Sequence, residues 1–593
     1  MTLRRLLCAT ALMASTVLSA PAFAQSATGS YLAARHAAAS DDYEAAATYF
    51  TRALARDPKN VPLMEQALLF KVAAGKVADA VPIARRLVAE DADHRIAHLV
   101  LVIDAMEDGA WDGALERLDD FGADSFNAIT ARLLEGWAQV GADDAEAATE
   151  AFAKLEGQRL FSVFGQYHAA LAADLAGDAE AAEKAFEAAK GTNRTPTARL
   201  AEAYGRFLEG EDRADEAAEI YAEAMTGATD DPVLAAALDR ATGADPSDPG
   251  PLVDSAEAGA AEALFGLASA FAREDGGMRL SLVYVRLALH LAPEMDAARV
   301  LLGNILDSRQ RWADAAEAYG EIGEESPYFR IAQIGRADAL GRIERVDEAL
   351  ETLAELEERY PDDLSLPIAQ GDLMRRNERY EEAAAAYDRA IKLVASPSER
   401  HWSLFYARGV SRERIGDWDN AEKDLEQALE FRPNQAHVLN YLGYSWIEQG
   451  RNLEKAEGMI EKAVEMRPDD GFITDSLGWV QYRLGDFEKA AETMERAVEL
   501  EPTDPVINDH YGDVLWKVGR KLEARFQWKR ALSFAPDEGE EELKERIRAK
   551  LDDGLDAVLA AEAEATPEDA APVAEGDATP PTPAEEGADA DDG

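Results

Sequence analysis

The sequence predicts an all-α solenoid built from about 14 helix-turn-helix repeats, and three observations carry that prediction. Small and helix-breaking residues return at a fixed interval. Gly409, Gly443, Gly478 and Gly512 are 34, 35 and 34 residues apart; Ala428, Ala463, Ala497 and Ala531 step by 35, 34 and 34, and so do Pro433, Pro468, Pro502 and Pro536. The chain is rich in Ala, Leu, Glu and Arg, which favour helix, and poor in runs of Val, Ile and Thr. At 593 residues it is too long for one compact core, yet at 47% hydrophobic it has ample material to fold.

Each repeating residue has a physical task. The Gly lets the two helices of a repeat approach closely. The Ala sits at a tight helix contact, where a larger side chain would overpack at a cost of about 1–3 kcal/mol. The Pro ends the second helix, because it cannot continue one. Gly485 and Phe487 mark the turn between helices, and Leu477, Ala490 and Met494 complete one core. The one extra residue falls near Arg451 and Asn452, between helices. A helix-turn-helix unit of 34 residues is the period of the tetratricopeptide (TPR) family, which the pattern resembles. The resemblance implies a right-handed superhelix whose first helices line the concave side.

In chain order, residues 1–24 read as a secretory signal. Arg4 and Arg5 precede an apolar run from Leu6 to Val17, and Ala22-Phe23-Ala24 fits a cleavage site before Gln25. Export to the periplasm is the expectation, with no membrane span after cleavage. The single cysteine, Cys8, lies in this segment, which leaves the mature chain without disulfide or thiol chemistry. Residues 25–231 carry an N-terminal solenoid: Tyr43, Ala46, Phe50 and Ala53 make one repeat, Gly177, Ala182, Phe186 and Ala189 another, and Gly205, Ala217, Tyr221 and Ala224 a third. Residues 232–259 break the period. The turn-forming run from Asp245 to Pro251 predicts a linker or hinge, with a surface loop inside one continuous solenoid as the alternative. Residues 260–538 form the C-terminal solenoid, 539–563 a capping helix, and 564–593 an acidic tail expected to be disordered.

The net charge is −54. Such a surface repels nucleic acid and anionic lipid, and it suits solubility or the steering of basic partners. One basic run stands out against it: Lys517, Arg520, Lys521, Arg525, Lys529 and Arg530. No His-Glu-x-x-His helix, phosphate-binding Gly-rich loop or nucleophile elbow is present, so no enzyme, metal or cofactor is expected. The acidic pairs Asp41-Asp42 and Asp469-Asp470 fall at helix starts and read as caps.

A stripe on the first helices steps by three, four and three. It contains His437, Asn440 and Tyr444; then Phe472, Asp475, Trp479 and Tyr482; then Asp509, Asp513 and Trp516, followed by Lys517. Large rings beside Asn and Asp are what a peptide-binding groove uses, so these residues are the candidate partner site. The same rings could instead pack between adjacent first helices.

The series Leu439-Asn440-Tyr441-Leu442-Gly443-Tyr444, Asp475-Ser476-Leu477-Gly478-Trp479 and Asn508-Asp509-His510-Tyr511-Gly512-Asp513, closed by residues 525–532, is similar to the C-terminal part of a family of exported bacterial TPR proteins. One branch consists of lipoprotein adaptors that recruit a carboxyl-terminal processing protease and deliver murein hydrolases to it. The resemblance covers about residues 400–540 and implies a protein or peptide partner, such as a periplasmic protease or murein hydrolase. The lipid-attachment cysteine of that branch is lacking. An assembly factor for an outer-membrane or polysaccharide export complex is the alternative. The oligomeric state is not encoded in any motif.

Overall fold

A computed structural model describes residues 27–119, 125–155, 161–191, 195–226, 231–243, 249–274, 276–536 and 541–565. The signal segment and the tail beyond Ala565 lie outside these, as do Asp245 to Asp248 of the turn-forming run. Among the described residues there are 31 α-helices and no strand. They run as fourteen helix pairs, from Ala27–Ala39 with Tyr43–Arg56 to Pro505–Lys517 with Lys521–Phe534. One unpaired helix, Pro232–Ala241, interrupts the series, and Glu541–Asp553 and Leu555–Ala565 follow it. The helix-turn-helix solenoid is thus as predicted.

The sequence period maps onto the pairs. Gly443, Gly478 and Gly512 lie where a Cβ would come within 2.8 Å of Ile460, 2.8 Å of Met494 and 2.4 Å of Trp528 on the second helix. Ala428, Ala463, Ala497 and Ala531 are buried. Asp42, Asp470 and Asp504 cap the helices that follow them, each accepting a backbone N–H three residues on at 2.9–3.0 Å. The inserted residue is absorbed at Asn452, which takes a left-handed conformation with φ 50°.

The chain divides into two compact units, residues 1–356 and 357–593. Residues 232–259, expected as a linker or a surface loop, lie inside the first of these units. Pro232–Ala241 is helical, Val253 is buried and the Pro249 carbonyl accepts from Arg206 at 3.5 Å. The next helix, Ala256–Phe271, folds back onto Ser125–Gly141 and Ser162–Leu175. Gly259 makes that approach possible, since a Cβ there would sit 2.2 Å from the fully buried ring of Trp137. Trp137 Nε1 in turn donates to His168 Nδ1 at 3.1 Å. Met278–Leu291 packs on Val61–Ala73 and Arg95–Glu107, with Arg286 Nε on the Ala73 carbonyl at 3.1 Å.

Folding back buries charge, and the charge is paired. Arg199 grips Glu262 through two bonds of 3.0 and 2.6 Å, and Tyr167 adds a third at 2.9 Å. Burial alone would raise the Glu262 carboxyl, but the Arg199 charge and hydrogen bonds outweigh it and the pKa is lowered. First helices of the N-terminal unit thus spend much of their inner face on the chain's own seventh pair.

Candidate functional site

The predicted stripe lies in the seams between successive first helices. Ala436–Glu448 packs on Gly471–Leu484, and the latter on Pro505–Lys517. Asn440, Tyr444, Asp475, Trp479, Asp509 and Asp513 are buried there, and His437, Phe472, Tyr482, Trp516 and Lys517 are half-buried. The Trp479 ring stacks on Tyr482 at 4.7 Å and on His510 at 4.2 Å, and its Nε1 donates to Glu448 at 2.9 Å. His510 Nδ1 donates to Asp475 at 3.0 Å. Burial opposes a charge on His510, but Asp475, with Asp509 and Asp513 behind it, overcomes that and raises the pKa. Asn440, Tyr444, Asp475, Trp479, Asp509 and Asp513 are thus enclosed and do not stand as walls of an open groove, whereas His437, Phe472, Tyr482, Trp516 and Lys517 keep part of their surface exposed. The three-four-three spacing serves inter-helix packing as well as it serves a groove.

At the last repeat the stripe does receive a helix, and it is the chain's own. Lys550 is 0% exposed, with Nζ 2.7 Å from both Asp509 Oδ2 and Asp513 Oδ2. Trp528 Nε1 donates to the other Asp513 oxygen at 2.8 Å. Burial raises the Asp513 pKa against the pull of Lys550. Asp556 accepts from Trp516 Nε1 at 2.8 Å and Lys517 Nζ at 2.9 Å, which hold its carboxyl below the ordinary value. The single capping helix expected over 539–563 is two helices. The break is Gly554, with φ +87° and only 2.7 Å from the Trp516 ring to where a Cβ would stand. No sequence signal marked Lys550, which sits one turn after Ile547 on the buried side of an otherwise charged helix.

An open cleft of about 500 Å³ lies instead in the N-terminal unit. Its floor is small and apolar, from Ala148, Phe152, Ala172 and Ala173, with Trp111 at one side. Asp143, Asp178, Asp254 and Glu257 stand around it. Asp178 also caps its own helix through Ala181 N, and Ser255 starts the fold-back helix by capping Ala258 N. The repeats here are the least regular in sequence, and alanines that read as ordinary helix contacts turn out to shape the cleft. Among the described residues no group of three or more His, Cys, Asp or Glu is placed to hold a metal ion, and no helix is long and apolar enough to cross a membrane.

Helix pairs in series are the architecture of tetratricopeptide-repeat solenoids, which this fold resembles. The tetratricopeptide-repeat family models match residues 334–400, 406–471 and 475–504. The TPR repeat-containing protein PA4667 of Pseudomonas aeruginosa is 28% identical over 191 residues, 32% of this chain and 32% of that protein, so the match spans about a third of the relative's length. Among solved structures, the APC/C hetero-tetramer Cut9–Hcn1 aligns over 90% of this chain and 98% of its own at 14% identity, with a TM-score of 0.36. TTC0263, a thermophilic TPR protein of Thermus thermophilus, aligns over 32% of this chain and 99% of its own at 21% identity, with a TM-score of 0.28.

Proposed function

We propose that this chain is an exported scaffold that holds a protein partner in the periplasm and presents it to an envelope protease. The observation that carries partner binding is the cleft beside Ala148, Ala172 and Ala173. It has the volume of a small-ligand or side-chain site, within the usual range of about 300–1,000 Å³, and it remains open where the fold-back helices fill the neighbouring inner faces. Its carboxylates fit a partner segment that carries Lys or Arg beside small apolar residues. The secretory-type N-terminal sequence supports the location. The similarity of residues 400–540 to exported adaptors supports the role in delivery.

In-cell crosslinking tests the reading. A photoreactive residue at Thr149, an exposed lining position, is expected to capture one envelope protein. Ala176→Trp, at an exposed position on the cleft, is expected to abolish that capture while helicity is retained. Equal capture by the filled cleft rejects it as the site. Fractionation checks the location, with a mature N-terminus at Gln25 expected; a chain kept in the cytoplasm overturns the export step.

A further inference from the structure

The outer face of the last repeat differs in kind from those of the three repeats before it. The second helices can be aligned on their buried alanines, Ala421, Ala456, Ala490 and Ala524. Three outward positions then read Asp419, Lys423 and Glu426; Glu454, Gly458 and Glu461; Glu488, Glu492 and Glu495. All nine are exposed, and all but two are carboxylates. In Lys521–Phe534 the same positions hold Leu522, Phe526 and Lys529. Leu522 is 85% exposed and Phe526 61%, one helical turn apart on one side.

Cations frame this apolar pair. Arg525 and Lys529 make no ion pair with any described residue, while Arg530 reaches the Pro502 carbonyl at 2.7 Å and Lys521 lies over Trp516 at 4.3 Å. The acid on this turn, Glu523, is already bound to Arg520. A solenoid that uses carboxylates to keep its outer helices solvated has here replaced them with a leucine, a phenylalanine and a lysine. Exposed apolar side chains ringed by one sign of charge mark a contact surface.

We infer that the outer face of Lys521–Phe534 docks an acidic amphipathic helix of a partner protein, whose Leu, Ile or Phe side chains cover Leu522 and Phe526 while its carboxylates meet Arg525 and Lys529. The chain's own acidic tail is a poorer match. Residues 566–593 supply carboxylates, but Val573 is their one large aliphatic residue and they contain no aromatic one. A second copy offers either the acidic outer helices of the preceding repeats, which lack this apolar stripe, or the same Leu522 and Phe526 face, whose Arg525 and Lys529 would meet like charges. An anionic membrane would meet the cations, but it would also meet a chain of net charge −54.

The test uses the full chain and a fluorescein-labelled synthetic helix of about 20 residues, long enough to be partly helical alone, with leucines at i, i+3, i+4 and i+7 flanked by glutamates. Fluorescence anisotropy is expected to show saturable binding that weakens with salt. The double variant L522E/F526E, which replaces the apolar pair by carboxylates at solvent-facing positions, is expected to weaken it about tenfold or more, and R525E/K529E likewise. Circular dichroism should be unchanged in both. The inference is overturned by equal binding in L522E/F526E, or by the lack of saturation up to about 1 mM peptide. Two further results overturn it: tighter binding to vesicles of anionic phospholipid than to the peptide, or a gain in peptide affinity of about tenfold on truncation after Ala565, which would make the tail the occupant.

Discussion

Removing the Lys550 charge should release the C-terminal helices without unfolding the repeats beneath them. The Nζ lies 2.7 Å from each of two carboxylates, and the lysine has no exposed surface. At an effective dielectric of about 20, each pair is worth about 6 kcal/mol of gross attraction, against several kcal/mol of lost hydration for each ion. Lys550→Met leaves Asp509 and Asp513 buried and like-charged, with Arg546, 3.9 Å from Asp509, as the remaining counter-ion, and the expected net loss is about 3 kcal/mol, the low end of the range for a broken buried pair. A chain of stacked repeats does not unfold in one step, so the loss is read locally. A local loss of about 3 kcal/mol speeds amide exchange about 150-fold. Hydrogen exchange followed by mass spectrometry should show that acceleration over residues 541–565, and Trp516 fluorescence should shift as its bond to Asp556 is lost. The triple variant Lys550→Met, Asp509→Asn, Asp513→Asn removes all three charges and should recover most of the protection. Exchange within about threefold of wild type in the single variant, a change worth under about 1 kcal/mol, or no recovery in the triple, refutes the account.

Three further outcomes are expected. Gly512→Ala places a Cβ 2.4 Å from the Trp528 ring, and the forced shift should cost about 1–3 kcal/mol, seen as early thermal loss of the near-ultraviolet signal; an unchanged melt counts against the close approach. Burial lowers the His168 pKa to about 4 from 6.5. The fold keeps it neutral while the unfolded chain protonates, so stability present above pH 6.5 should fall by about 3 kcal/mol as pH drops to 4, and a His168→Asn chain should lack that slope in Trp137 fluorescence. His510 is displaced the other way. Its contribution is fully present below pH 6.5 and is lost as pH rises through the raised folded value; an imidazole titrating at or below 6.5 by NMR would contradict the Asp475 pairing.

Much of the fold was legible because its determinants are local and repeat. A glycine without a side chain, an alanine in a tight contact and a proline after the second helix impose the same constraint in the C-terminal units, and weaker echoes of it upstream give an expectation of about fourteen pairs. The caps at Asp42 and Asp470 were legible for the same reason. The candidate site was not. Asn440, Tyr444, Trp479 and Asp513 occupy positions whose spacing is shared by a groove wall and an inter-helix seam, and the choice depends on how closely successive first helices approach, a distance set by side chains about 34 residues away. The cleft escaped notice because its alanines look like any helix contact until the turn at Asp254 and Ser255 is brought across them.

Spacing within about 34 residues dictates the helix pairs and their internal cores. What covers the inner faces follows from long-range packing. Helices Ala256–Phe271 and Met278–Leu291 return to repeats about 95 to 213 residues earlier, and Lys550 lies some 40 residues from Asp509 and Asp513. Contacts of that range leave no period in the chain. They arise because an unpaired apolar face or a buried carboxylate must find a partner wherever the backbone can bring one.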